Sequence, residues 1–155
     1  MGYVFISYSS KNQEAADSIH RILEKNGIQS WMAPGDIPVG EDYPEVIDGA
    51  IENCACLLLL LTNNAQNSNW VPKEVERAIS YGKRVFPLKL EDVELNKTFK
   101  LLISSNHGIS LSSLDETAPE MQRVLRDLKA VVQDQEQPAV QPQQPVLVES
   151  KKEET

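Results

Sequence analysis

A chain of 155 residues, 41% hydrophobic and 25% charged, has the proportions of one folded domain, and its length suffices to bury a core without metals or disulfides. Its net charge of -8 excludes a general nucleic-acid binder, because affinity for phosphate backbones comes from clustered Lys and Arg. No run of eighteen apolar residues occurs and the start MGYVFISYSS lacks the basic region and cleavage site of a secretory leader, so a cytoplasmic protein without membrane contact is expected.

Apolar, β-rich runs alternate with segments of helical period along the first 132 residues, as in βαβ units on a parallel sheet. The first predicted strand is 3–8 (YVFISY), followed by a helix whose stripe is Ala15, Ile19, Ile22 and Leu23 and whose stop is Asn26-Gly27. A second strand at 28–32 (IQSWM) leads into a 33–42 loop whose backbone is set by Pro34, Gly35, Pro38 and Gly40. Tyr43, Val46, Ile47, Ala50 and Ile51 mark the second helix. The third strand, 55–62 (ACLLLLLT), is apolar on both sides of the pleat, the pattern of a strand covered by helices on both faces. Cys54 and Cys56, one residue apart at its edge, read as small core residues, since a disulfide between them is sterically poor. His20 and His107 fall in unrelated segments, so no metal site is expected.

The third long helix carries Val71, Val75, Ala78 and Ile79 and ends at Tyr81-Gly82. Then come a strand at 85–90 (VFPLKL), a weaker helix within 95–105, a strand at 108–111 (GISL) and a last helix on Met121, Val124, Leu125, Leu128, Val131 and Val132. After Val132 the composition turns to alternating Gln and Pro before the charged end KKEET, which reads as a disordered tail or linker over 133–155. The tail carries a net charge of -3, leaving -5 on residues 1–132, so the folded part is itself acidic.

The expected fold is therefore α/β: a three-layer, flavodoxin-like open parallel five-stranded sheet in the order 2-1-3-4-5, with helices on both faces. In that order the chain reverses between strands one and three, and ligands bind at such a switch point. The loops converging there are Ser7–Asn12, Thr62–Trp70 and the 33–42 loop. A response-regulator receiver would need a phosphoacceptor aspartate where this chain has Leu61-Thr62-Asn63, and a flavodoxin would need aromatic loops for a flavin ring that are not evident.

Three segments, FISYSSKN at Phe5–Asn12, WMAPGDIPVG at Trp31–Gly40 and NWVPKEVERAI at Asn69–Ile79, together resemble the Toll/interleukin-receptor (TIR) domain, particularly its bacterial members. The similarity spans nearly the whole folded part. Two positions stand out: the acidic residue often found near the end of the first segment is Asn12 here, and the hydroxyl often found after strand three is Thr62. The resemblance implies one of two functions. TIR domains of one group cleave the nicotinamide-ribose bond of NAD+, giving nicotinamide and ADP-ribose or a cyclic form, in immune or virulence signalling. Others act as homotypic assembly modules. The marker of the enzymes is a glutamate four residues after a Trp, matched by Trp70 and Glu74. NAD+ would then be a substrate, with no cofactor, and the partners would be copies of the same domain or other TIR domains. The 33–42 loop, with Asp36 and Ile37 as its expected exposed points, would mediate self-association.

The placement of Glu74 is also legible without the family. At about 100° per residue it lies roughly 60° off the centre of the Val71/Val75/Ala78 stripe, with Trp70 on the same side, while Lys73, Glu76, Arg77 and Ser80 fill the solvated arc. It is a boundary residue near a helix N-terminus, where the dipole is expected to keep a carboxylate ionised. Ser7, Tyr8, Ser9, Ser10, Lys11, Trp31, Thr62 and Trp70 are the expected substrate contacts. Ser9 or Ser10 would serve equally as helix caps, and Trp70 equally as a pocket wall or a packing anchor.

Overall fold

The computed structural model of the chain describes residues 2–33, 43–103, 109–111 and 113–136. Five strands, β1 (Tyr3–Ser7), β2 (Gln29–Trp31), β3 (Cys56–Leu61), β4 (Arg84–Lys89) and β5 (Ile109–Ser110), form one sheet in the order β2-β1-β3-β4-β5, every pairing parallel. The helices are α1 (Gln13–Lys25), α2 (Tyr43–Glu52), α3 (Asn63–Gln66), α4 (Val71–Ser80), α5 (Lys97–Ile103) and α6 (Pro119–Glu136). The sheet order and the open α/β architecture are those expected from the alternation of patterns.

β3 is the spine. All six of its residues are buried, and they alternate between two cores. Cys56, Leu58 and Leu60 pack with α1 and α6 residues such as Ile19, Leu23, Val124 and Leu128. Leu57, Leu59 and Leu61 pack with Ile47, Ile51, Val75, Ala78 and Phe99 from α2, α4 and α5. Each leucine so buried contributes about 1.5 to 3 kcal/mol of transfer free energy, which is why an unbroken apolar run is stable only here. Burial pushes the Cys54 thiol up to about 11 and the Cys56 thiol up to about 12, so both stay protonated and unreactive at neutral pH.

Local stops match the sequence. Gly27 and Gly82 adopt φ of +80° and +75° directly after α1 and α4, a conformation in which a Cβ is strained. Two details differ. The buried residue on the first turn of α1 is Ala16 rather than Ala15, and Ile79 of α4 is largely exposed, because each helix is rotated slightly from the phase its stripe suggests. The last helix continues to Glu136, past the composition change at 133. Helix period and tail composition overlap there, so composition alone does not mark where the backbone stops being helical.

The turn after β3 contains α3, too short to register as periodicity. Thr62 caps it, accepting from the Ala65 N–H at 3.0 Å, and donates its hydroxyl to Asn12 Oδ1 at 2.8 Å. The two positions singled out against the family pattern are thus each other's partners, tying the exit of β3 to the start of α1. Because Thr62 is fully buried, Thr62→Val should remove a cap and strand the Asn12 carbonyl, lowering stability by about 1 to 3 kcal/mol in urea denaturation. A variant as stable as the parent would show that the pair carries no weight.

Candidate functional site

A cleft of about 250 Å³ opens where the exits of β1 and β2 and the start of α4 meet, at the switch point of the sheet. Phe5, Ile6, Tyr8 and Ser10 line it from the β1 side, Ala33 from the β2 exit and Ile47 from α2. Ser68, Trp70 and Glu74 complete the wall. A second, more apolar groove of about 400 Å³ runs between α2 and α4 and shares Ile47, Trp70 and Glu74 with the first.

Among the described residues, Glu74 is the only ionisable side chain lining the cleft apart from Tyr8. It lies on the first turn of α4, its N–H bonded to the Trp70 carbonyl at 2.9 Å, and is only 7% exposed. Its Oε1 accepts a 2.6 Å hydrogen bond from the hydroxyl of Ser7, itself 0% exposed at the end of β1. Among the described residues, Oε2 has no hydrogen-bond partner. Burial pushes the carboxyl up to about 7, against the opposing pull of the Ser7 hydroxyl. This corrects the expectation that the helix dipole keeps Glu74 ionised. Loss of water around a nearly enclosed carboxylate outweighs a partial charge at the helix end, so the group keeps its proton to higher pH than a free carboxyl does.

The start of α4 is held by a residue the sequence reading missed. The Ser68 hydroxyl accepts from the Trp70 and Val71 N–H groups at 3.1 and 3.2 Å, doing the capping that the Trp70 side chain cannot. A Ser two residues before the Trp of a helix entry is the signal that could have found it. Trp70 is 43% exposed, and the Lys73 ammonium sits 5.7 Å from its ring centroid. It is therefore a wall of the cleft and groove rather than a core anchor.

Three of the expected contacts, Tyr8, Ser10 and Trp70, come together with Glu74 around the cleft. Tyr8 also donates its hydroxyl to the Ala33 carbonyl, joining the exits of β1 and β2. The others lie elsewhere. Ser7 stands behind Glu74, and Ser9 accepts from the Lys11 N–H at 3.2 Å as the cap of a short 3-10 turn over Ser10–Asn12. Lys11 is exposed and does not line the cleft. Thr62 caps α3, and Trp31 stacks on Phe5 with ring centroids 5.1 Å apart and planes at 16°. Pro34, Gly35, Asp36, Ile37, Pro38 and Gly40 lie outside the described residues. Among the described residues there is no group of three or more His, Cys, Asp or Glu placed to hold a metal, and no helix long and apolar enough to cross a membrane.

Residues 4–125 match the profile of the TIR domain. The chain belongs to the TIR domain family. Solved structures agree at the level of fold. The TIR domain of the Toll-related receptor TRR-2 from Hydra magnipapillata is 20% identical with a TM-score of 0.69, covering 81% of this chain and 97% of its own. The TIR domains of the activated Roq1 resistosome, which directly recognises the pathogen effector XopQ, are 14% identical with a TM-score of 0.64, over 83% and 99%. The CMP N-glycosidase BcmB of Clostridium botulinum is 16% identical with a TM-score of 0.53, over 82% and 98%. No curated protein matches the chain. In this TIR domain the cleft thus sits on a fold shared by a receptor domain, a resistosome and an N-glycosidase.

Proposed function

We propose that this TIR domain is an NAD+ glycohydrolase that cleaves the nicotinamide-ribose bond, and that Glu74 is its catalytic residue. The observation that carries the reading is a buried carboxylate, with one oxygen unpartnered among the described residues, on the wall of a cleft at the sheet's switch point. The N-glycosidase activity named for one structural neighbour supports the same reaction class.

The chemistry asks little beyond one anion. As the C1–N bond of NAD+ breaks, its electron pair goes to the ring nitrogen and nicotinamide leaves neutral, so no acid is needed. Positive charge builds on the ribosyl carbon. Glu74 Oε2 accepts a hydrogen bond from a ribose hydroxyl and stabilises that oxocarbenium-like state at short range in a low-dielectric wall. Water, or a nucleophile within the substrate, then takes the carbon. Hydrolysis yields ADP-ribose, nicotinamide and one proton; internal capture yields a cyclic product. NAD+ is substrate, and no cofactor takes part. A volume of about 250 Å³ suits the nicotinamide riboside end rather than a whole dinucleotide.

In this reading the domain acts in the cytoplasm as an oligomer within immune or virulence signalling, with Pro34, Gly35, Asp36, Ile37, Pro38 and Gly40 as the self-association loop. The test is nicotinamide release from NAD+, followed chromatographically over a rising series of protein concentrations. Turnover that climbs faster than protein concentration is expected for an enzyme completed by assembly. Absence of nicotinamide at every concentration would leave a non-catalytic TIR-TIR interaction module, and the product of one digest separates hydrolysis from cyclisation.

A further inference from the structure

Ser7 was expected among the groups that touch substrate, yet its hydroxyl is enclosed and does not line the cleft. It reaches one atom of consequence, Glu74 Oε1, at 2.6 Å, across 67 residues of sequence. β1 and α4 are packed elements with little freedom, so this bond fixes both the rotamer of the carboxylate and which oxygen remains for a ligand. We propose that Ser7 is the positioning residue of the site: its hydroxyl pins Oε1, leaves Oε2 to the ligand and holds the negative charge at the cleft wall. The proposal rests on the reading of Glu74 as the group that meets substrate.

Among the described residues, no other charge competes for this role. On its own helix, Lys73, Glu76 and Arg77 share the apolar groove with Glu74, and from α2 Asp48 does so. Asp48 is held by Arg77 at 2.6 Å and by the Tyr81 hydroxyl at 2.6 Å. β1 brings Tyr8 to the cleft, while α3 has no ionisable residue. The ionisable residues of β4 and α5, Arg84, Lys89, Lys97 and Lys100, do not line either cavity beside Glu74. Among the described residues, burial and the Ser7 hydroxyl set where this carboxyl titrates, and they act in opposite directions. Removing the hydroxyl leaves burial unopposed.

The experiment reads the charge directly. The side-chain carboxyl carbon of Glu74, assigned by its disappearance in Glu74→Gln, is titrated by NMR in the parent, Ser7→Ala and Ser7→Cys without any nucleotide. Ser7→Ala should titrate higher by about one to two pH units, the worth of a hydrogen bond to a charged acceptor, and Ser7→Cys, a weaker donor of similar shape, should fall between. Where NAD+ is cleaved, the acid limb of kcat/KM should move upward by the same amount. Most of the Ser7→Ala deficit should then disappear at high pH, which a merely structural role would not produce. A Glu74 titration identical in Ser7→Ala and the parent, with unchanged circular dichroism, overturns the proposal. A shifted titration in a protein that releases no nicotinamide upholds the positioning while removing the proposed substrate.

Discussion

Glu74→Gln is expected to lower the rate of nicotinamide release at least ~100-fold and, in the same protein, to raise stability above neutral pH. The rate loss follows from removing one preorganised charge aimed at a developing cation, where deletions of single electrostatic groups cost on the order of 10²- to 10³-fold. The gain in stability follows from linkage. The Glu74 carboxyl sits near 4.5 when unfolded and about 7 when folded, so between those values the folded protein holds the proton more tightly. Raising the pH through that window therefore favours unfolding, and the stability present below about 4.5 is lost as pH rises through 7. At pH 8 the cost approaches roughly 3 kcal/mol as an upper limit. Gln carries no charge to bury, and its amide oxygen still accepts from Ser7 Oγ. Urea denaturation of the two proteins at pH 5 and pH 8 measures the difference. A parent whose stability does not fall between those pH values, or a Gln variant that keeps the parent's turnover, contradicts the role given to this side chain. A site that costs stability at the pH where it is charged is what a catalytic carboxylate in an apolar wall requires.

The fold was legible because its signals are periodic. β3 announces burial on both faces by five consecutive leucines, and α4 announces its buried side through Val71, Val75 and Ala78. The same periodicity placed Glu74 at a boundary, but it was the Trp70–Glu74 spacing shared with the family that singled it out as the candidate. Periodicity misplaced the consequence, because the angle around a helix does not say how much protein lies above the residue at that angle. Thr62 and Ser9 were visible as hydroxyls near element ends, but whether such a group caps a turn or faces a ligand depends on the local chain path. α3 and the 3-10 turn are shorter than any pattern that period can reveal. The Ser7–Glu74 bond joins two elements that only the closed sheet brings together, so no local signal contained it.

Trp31 and Trp70 were both expected to touch substrate, and the contrast between them gives a second large effect. Trp31 packs against the core beside Phe5, whereas Trp70 is 43% exposed along the cleft. Trp31→Ala should remove an aromatic stack and the apolar area beneath it. For a half-buried ring this costs about 2 to 4 kcal/mol, toward the lower part of the range for large-to-small aromatic changes. Below its unfolding transition, the variant should release nicotinamide within a few-fold of the parent per folded molecule. Trp70→Ala should behave oppositely, with a stability change of about 1 kcal/mol or less and a loss of kcat/KM of about 10-fold from an opened cleft wall. Paired urea denaturation and rate measurements on both variants decide the matter. If Trp31→Ala kept the parent's stability and raised KM instead, the ring would have to meet substrate, and the cleft would have to extend along the β2 side of the sheet. The stacking geometry argues against that. A ring lying 16° from parallel on a buried phenylalanine has one face committed to that stack, and among the described residues Trp31 is not part of the cleft lining.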